Sequence, residues 1–499
     1  MKSRLVAVSL AFVLCGCAVG PDYRKPDPDA PGHWQTATDN PEAGLEALNS
    51  AVSGAWWKIF ADPVLDRLME QALANNLDIK LALTRIEEAR ATRKASRAAF
   101  FPSVDGSAGV SRTDNPFPGL VQGLRFDLFE LGFDVAWELD LFGRLKRREQ
   151  AASAGLGEAV EQHRAVLVTL AAEVARHYVE LRGVQHQLSI THANLEARRH
   201  TLDLTRKQFF AGTGTRHDVV RAKAQLEAAR AEVPLLESRI VAAQRQLEVL
   251  SGLRPGTLRA ELVLPTPVPV AQHRAVFATP AAAIRHRPDI RAAERELAAA
   301  NALHGAAVAE LYPKVSLSAL LGLKSIDAAT FFNAASKSWN TGISLLTPIL
   351  NFGRIRARID MAKARERQAY IRYEQKVLEA LKETEVALTR YIKEEVRREA
   401  LAGSVAGLDE AVKISRLRYR EGIASFLEVL DAERDFYRAE IELARSQTDV
   451  ATGLIAVYKA LGGGPDGIEG GSPVPDDRPG ETSENREIQE IHGSIPNPE

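Results

Sequence analysis

LGFDVAWELDLFGRLKRR, residues 131–148, changes its period halfway, and that change decides the fold. From Leu131 to Leu141 the odd positions are Leu131, Phe133, Val135, Trp137, Leu139 and Leu141, and the even ones are Gly132, Asp134, Ala136, Glu138 and Asp140. Period 2, with one apolar face and one acidic or small face, specifies a strand between two different environments. After Gly143 the helical period takes over, without a proline from Arg144 to Phe210. At about 1.5 Å per residue that span makes a helix roughly 100 Å long, far beyond an ordinary domain helix. Leu167, Val174, Leu181, Leu188, Leu195 and Leu202 recur every seventh residue, the spacing of a coiled-coil seam. Past a turn at Gly212 to Gly214 the chain doubles back through Gln225 to Leu250.

The same pattern returns later in the chain. "FPSVDGSA" (Phe101–Ala108) comes back as "YPKVSLSA" (Tyr312–Ala319), "LDIK" (Leu77–Lys80) as "PDIR" (Pro288–Arg291), and "LFGRLKRR" (Leu141–Arg148) as "NFGRIRAR" (Asn351–Arg358). The glycine of "RKQFFAGTGT" reappears in "RLRYREGIAS", and every offset is 210 or 211 residues. Four matches in register specify a tandem duplication, with halves at 61–264 and 275–461 joined by a Pro-rich linker at 265–274.

Each half carries two alternating segments, near 103–111 and 126–141 in the first and near 314–323 and 338–347 in the second. Alternation of this kind also suits an amphipathic sheet over a soluble core. Here each strand has about ten residues, the length of a tilted membrane-spanning strand. Long polar loops, Arg112–Arg125 and Lys324–Lys337, sit between the strands of each pair. Four strands cannot close a barrel, since the smallest membrane barrels have about eight. Closure therefore requires further copies of the chain.

The last helical stretch carries two apolar lines. One runs Val429, Ala432, Phe436, Ala439, Leu443, Ser446, Val450, Gly453, Val457, Ala460; the other runs Leu430, Tyr437, Ala444, Ala451, Tyr458. A broad stripe over a bundle core would give the same pattern. Beside a barrel that must close between copies, it favours a ring of helices in which each packs against a neighbour on both sides.

At the N-terminus Lys2 and Arg4 precede an apolar run from Leu5 to Leu14, the layout of a signal peptide over residues 1–16, too short to span a membrane. Leu14, Cys15, Gly16 and Cys17 have the form of a lipobox, which makes Cys17 the lipid-modified first residue of an extended segment, 17–60; a plain signal peptide is the alternative. Cleavage leaves one cysteine and no disulfide, and takes the formal net charge from −1 to −3 by removing Lys2 and Arg4. At the other end, residues 462–499 are rich in Gly, Pro, Asp and Glu and read as disorder.

With 64 Lys plus Arg against 65 Asp plus Glu, the composition is that of a near-neutral folded chain and not a nucleic-acid binder. No HExxH, phosphate-loop or GxSxG pattern occurs, so no catalysis, metal or cofactor is expected.

"CAVGPDYRKP", "WWKIFADPVLDRLMEQALANNLDIKLA", "RHRPDIRAAERELAAANA" and "GIASFLEVLDAERDFYRAE" followed by "VYKALGGG" resemble the outer-membrane efflux lipoproteins, the OprM/NodT branch of the TolC-like channels. The resemblance spans residues 17–464. It implies a mainly α protomer whose four strands join a trimeric 12-stranded β-barrel in the outer membrane and whose long helices form a periplasmic α-barrel. It also implies a lipid anchor, a periplasmic adaptor and an inner-membrane RND pump as partners, and export of drugs or other small molecules. By the same resemblance Leu427 constricts the periplasmic tip, Asp431 forms an acidic ring and Arg434 is its partner; an i, i+3 pair alone would be a solvated surface pair. The first-half equivalent of Asp431 is Arg221, so the two tips are not interchangeable. The turns at Gly212, Gly214 and Gly422 are the expected landing sites of adaptor hairpins. The rival readings are a type I secretion duct, and an adaptor or coiled-coil spacer; the last two would lack the duplicated strand pairs.

Overall fold

The computed structural model describes residues 18–28, 30–39, 46–48, 54–115, 124–271 and 276–464. The expected signal peptide, Cys17 and the tail beyond Gly464 lie outside the described residues.

Each half builds the same chain of elements. In the first, α2 (Pro63–Asn75) and α3 (Leu77–Ala98) lead into the hairpin β2 (Ser103–Asn115) and β3 (Leu124–Leu139), followed by α4 (Arg144–Phe210) and α5 (Arg216–Leu250). In the second, α7 (Pro280–His286) and α8 (Pro288–Ala309) lead into β5 (Lys314–Ser325) and β6 (Lys337–Leu346), then α9 (Arg354–Arg420) and α10 (Phe426–Ala460). The long helices have 67 residues in both halves and the return helices 35 in both. Earlier and between lie α1 (Gln35–Asp39), β1 (Glu46–Leu48), α6 (Arg259–Leu262) and β4 (Val276–Ala278), with β1 and β4 paired in parallel.

Several bounds differ from the sequence reading, for local reasons. β3 stops at Leu139 rather than 141 because the Asp140 carboxylate turns to accept from the Leu145 and Lys146 amides (3.0 and 2.7 Å), starting α4. α5 begins at Arg216, well before Gln225, on a capping box between Thr215 and Asp218. Segment 17–60 is not wholly extended: α1 and a 3-10 turn at Trp56–Phe60 interrupt it, since Trp34, Trp56, Trp57 and Phe60 bury their rings in the main core. Trp56 stacks on Tyr458 of α10 at 5.1 Å between ring centroids. That core joins α2, the middle of α4 and the end of α10 through Leu65, Leu68, Tyr178, Leu181, Leu454 and Val457.

The four long strands form one antiparallel sheet in the order β2-β3-β5-β6. Around the helices, α4 touches α3, α5, α8 and α10, whereas α9 touches α8 and α10. The short helices are stacked end to end beside the long ones. Asn76 caps α3 and donates to the Leu250 carbonyl at the end of α5 (2.8 Å). Arg287, at the equivalent place, donates to the Ala460 carbonyl at the end of α10 (2.6 Å). The two neighbours of α10, expected from its two apolar lines, are thus α9 and α4 of its own chain.

The N-terminal strap crosses the boundary between the halves. Val19 donates to the Phe142 carbonyl (3.2 Å), and buried Arg147 donates to the Val19 and Gly20 carbonyls and pairs with Asp22 (2.8 Å). Tyr23 donates to buried Glu294 of α8; burial, then that bond, raises the phenol pKa. At Gly20, φ is +91° and an added Cβ would lie 2.6 Å from the Gly305 Cα, so only glycine fits.

Candidate functional site

The sheet has two chemically distinct faces. The register places Phe133 opposite Gly106 on β2 and Leu321 on β5, and Leu321 opposite Trp339 on β6. Val104, Val110, Leu131, Phe133, Leu321, Trp339, Ile343 and Leu345 thereby share one exposed apolar face across all four strands. A face of this kind belongs in lipid. On the opposite face Asp105 stands directly across from Asp134, which accepts from the Ser107 hydroxyl (2.6 Å), and Glu130 pairs with Lys324 (2.5 Å). Gly132 and Gly322 meet there: a Cβ added to Gly322 would sit 2.2 Å from the Leu131 carbonyl oxygen. Apart from Leu128, Leu320 and Leu346 this face is polar and low in bulk, which suits the wall of a water-filled passage. No described helix is long and apolar enough to cross a membrane, which says nothing of a β-barrel.

Among the helices, a groove of about 1160 Å³ runs between α4, α9 and α10, lined by Glu173, Arg176, Glu383, Arg390, Arg397 and Asp449 among others. Acids and bases alternate along it, so the wall is wet without favouring one sign. Burial, and then the charge of Glu394, raises the Asp449 pKa. No group of side chains among the described residues could hold a metal ion.

The two helical turns share a backbone solution. Gly212 and Gly422 adopt φ of +76° and +73°, which favours glycine. The amides of Thr213 and Gly214 then close on the Gln208 carbonyl (2.9 and 3.0 Å), and those of Ile423 and Ala424 on the Arg418 carbonyl (2.8 and 3.3 Å). A second apolar cluster packs the coils together through Leu195, Leu202, Leu226, Tyr419, Phe426 and Val429.

Leu427, Asp431 and Arg434 fall on one solvent-facing side of α10. Arg434 bridges Asp431 and Asp435, both at 3.1 Å, and those carboxylates, Asp435 first, raise its pKa. Gly214 sits at the first turn, tight against Phe209 and Gln208, while Phe210 beside it is exposed. The sequence reading missed Glu433, on the other side of α10. It is buried, accepts from Arg416 of α9 (2.8 Å) and from the Thr201 hydroxyl of α4 (3.1 Å), and so ties three helices. Its signal was present: Glu433 interrupts the line Leu430, Tyr437, Ala444 with a charge. Arg198 of α4, over the Tyr437 ring at 6.0 Å, also bonds Gln225 of α5 (2.7 Å).

Comparison with known proteins places this architecture. The family described as "Outer membrane efflux protein" matches residues 68–253 and 279–463. The solvent efflux pump outer membrane protein SrpC of Pseudomonas putida is 32% identical over 473 residues, covering 93% of this chain and 99% of its own. Nodulation protein T of Rhizobium leguminosarum bv. trifolii is 30% identical over 464 residues, 93% of this chain and 97% of its own. The solved outer-membrane channel OprN superposes with a TM-score of 0.85 at 36% identity, over 90% of this chain and 99% of that one.

Proposed function

The chain belongs to the outer membrane efflux protein family and is an outer-membrane efflux channel; on that premise we propose that three copies form one duct. The duct receives drugs or other small molecules from an inner-membrane RND pump and a periplasmic adaptor. In it twelve strands close a barrel and the helices of residues 61–264 and 275–461 continue it through the periplasm.

One observation carries this reading: the sheet is apolar on its outer face yet open at both edges, β2 and β6. Unpaired strand backbone is not tolerated in lipid, so copies must supply the missing neighbours. Exposed apolar side chains on the flanking helices, Leu81 on α3 and Leu378 on α9, also suit contacts between copies.

Within that assembly Leu427 narrows the tip, Asp431 of each copy lines an acidic ring, and Arg434 offsets its charge. Like charges around a narrow axis repel unless countered, so the ring selects cations and weakens as it opens. The turns at Gly212, Gly214 and Gly422 receive the adaptor, and Cys17 carries the lipid anchor.

The test is single-channel conductance of the purified chain in planar bilayers, paired with its mass in detergent. A trimer with small, cation-preferring openings that widen in Asp431→Ala, Arg434→Ala supports the reading. A monomer without conductance overturns it, and unchanged conductance in a folded trimeric variant removes these two residues from the gate.

A further inference from the structure

A second groove, of about 460 Å³, lies close to the strands, where α8 packs against both α4 and α9. That volume falls within the range of small-molecule sites, about 300–1000 Å³. Its floor is Ala299, Ala300, Leu303 and Ala307 of α8 with Met361 and Ala362 of α9. Leu303 and Met361 remain 51% and 53% exposed. Around this apolar floor stand Arg148, Arg358, Arg365 and Arg372 against Glu296 and Glu310. Arg358 pairs with Glu310 (3.1 Å) and Arg372 with Glu296 (2.6 Å), and Glu158 of α4 adds an acid beside that second pair. Arg148 and Arg365 have no hydrogen-bond or ion-pair partner among the described residues, so the groove presents two unpaired guanidinium groups beside an apolar floor.

The repeated fold does not require this chemistry. The corresponding place in the first half lies between α3 and α4, at offsets of 211 residues for the short helices and 210 for the long ones. There Leu303 is replaced by Thr92, Met361 by Ala151, Arg365 by Gly155 and Arg372 by Gln162. A Cβ added at Gly155 would meet nothing within 4 Å, so the space that Arg365 fills in one half stands open in the other.

The groove also faces a definite side of the wall. Glu294 and Gly305 of α8 hold the N-terminal strap, the first through Tyr23 and the second against Gly20. Glu296 and Ala307, each two residues further on, point about half a turn away, and Leu303 shares their face. A strap that leads to a lipid on Cys17 runs outside the barrel, because the acyl chains enter the bilayer around the strands. The opposite face of α8, and the groove with it, fronts the passage.

We propose that this groove is a waypoint in the duct for organic anions with an apolar body. A carboxylate or sulfonate is held by Arg148 and Arg365, whose guanidinium groups donate parallel hydrogen bonds to such oxygens. The apolar part lies on Leu303, Met361 and the alanines. Both arginines are solvent-exposed, so the hold is weak enough for release, as conduction past successive sites requires. A cation of the same shape gains little, because Glu296 and Glu310 are already paired. The proposal rests on the reading of the chain as a duct and adds to it a class of molecule that the wall itself retains.

The probe is naphthalene-2-sulfonate, titrated calorimetrically into the full-length protein in non-ionic detergent, against detergent alone, and then added to single channels in planar bilayers. The native chain should bind it and show interrupted current. Arg148→Gln with Arg365→Gln should weaken binding by about tenfold and relieve the interruptions. Leu303→Thr, which puts the first-half residue on the floor, should weaken binding by a smaller factor. Methanesulfonate, which lacks the apolar body, and 2-naphthyltrimethylammonium, which has the opposite charge, should not compete. If the double variant keeps its trimeric mass and its melt yet binds as the native chain does, or either control competes equally, the waypoint falls while the duct stands. Binding without any effect on the current places the groove outside the passage and overturns the waypoint too. A native chain that is monomeric and never conducts removes the duct and the waypoint with it. Should the double variant fold poorly, Arg365→Gln alone, on the exposed side of α9, decides.

Discussion

In the first half, a neutral amide joins the stacked helices: Asn76 caps α3 and reaches the Leu250 carbonyl. In the second half a guanidinium takes that place. Arg287 reaches the Ala460 carbonyl and also holds Asp289 (2.8 Å) and Glu383 (2.8 Å). Burial disfavours the Arg287 charge, but its carboxylate partners outweigh burial and its pKa is raised; burial likewise pushes Asp289 up, and the Arg287 bonds prevail to leave it lowered. Duplicated geometry thus came to rest on different chemistry, an amide in one joint and an ion-pair cluster in the other. The tips diverge in the same direction. The first is closed by the Thr215 and Asp218 capping box, while the second adds the buried Glu433 and the ion pair between Arg418 and Glu428 (2.9 Å).

Breaking the second joint should cost most. Arg287→Ala leaves the Ala460 carbonyl to the longer Thr384 hydroxyl bond (3.3 Å) and takes the guanidinium from Asp289 and Glu383, and about 2–3 kcal/mol of stability should be lost. Asn76→Ala should cost about 1–2 kcal/mol, a cap and one hydrogen bond; thermal melts of both variants in detergent rank them, and equal losses would erase the distinction. Next comes the tip. Glu433→Gln removes the charge that binds Arg416 and should raise channel conductance, whereas Lys223→Gln, at the corresponding place in the first half, should leave it unchanged.

Acid sharpens the contrast between the joints. With a lowered folded pKa, Asp289 contributes stability that is complete above its unfolded value, about 3.9, and is lost as pH falls through the folded one. The melting difference between the native chain and Asp289→Asn should accordingly be full near pH 7 and shrink below about pH 4, while Asn76→Ala should show no such trend. The smallest effect on stability belongs to Arg434→Ala, whose side chain is solvent-exposed. Its melt should match the native chain even as bilayer conductance changes; a shifted melt would make Arg434 a structural residue instead.

Much of this was written in local patterns. The change of period at Gly143 and the seven-residue spacing along α4 reflect rules that neighbouring residues obey alone, and the 210-residue offset shows by comparing the chain with itself. Five of the six seam residues on α4, all but Leu188, are buried in the structure. What was not legible depends on which helix faces which. Arg147 is one basic residue in "RLKRR", and nothing in that run distinguishes it from Arg148, yet it alone receives the strap. The neighbours of α10 were equally hidden, because two apolar lines on a helix state how many partners it has and not whose chain they belong to.

The strap also dictates an order of events. Its receptor is assembled from Phe142, Arg147, Glu294 and Gly305, so the bond from Tyr23 closes over a separation of 271 residues. The part of the polypeptide made first therefore has nowhere to dock until more than half of the chain has emerged and both hairpins' supporting helices have met. Such distant closures are slow because the loop entropy is lost before the contact forms. The seating of Gly20 against Gly305 would then mark a protomer whose two halves have already found each other.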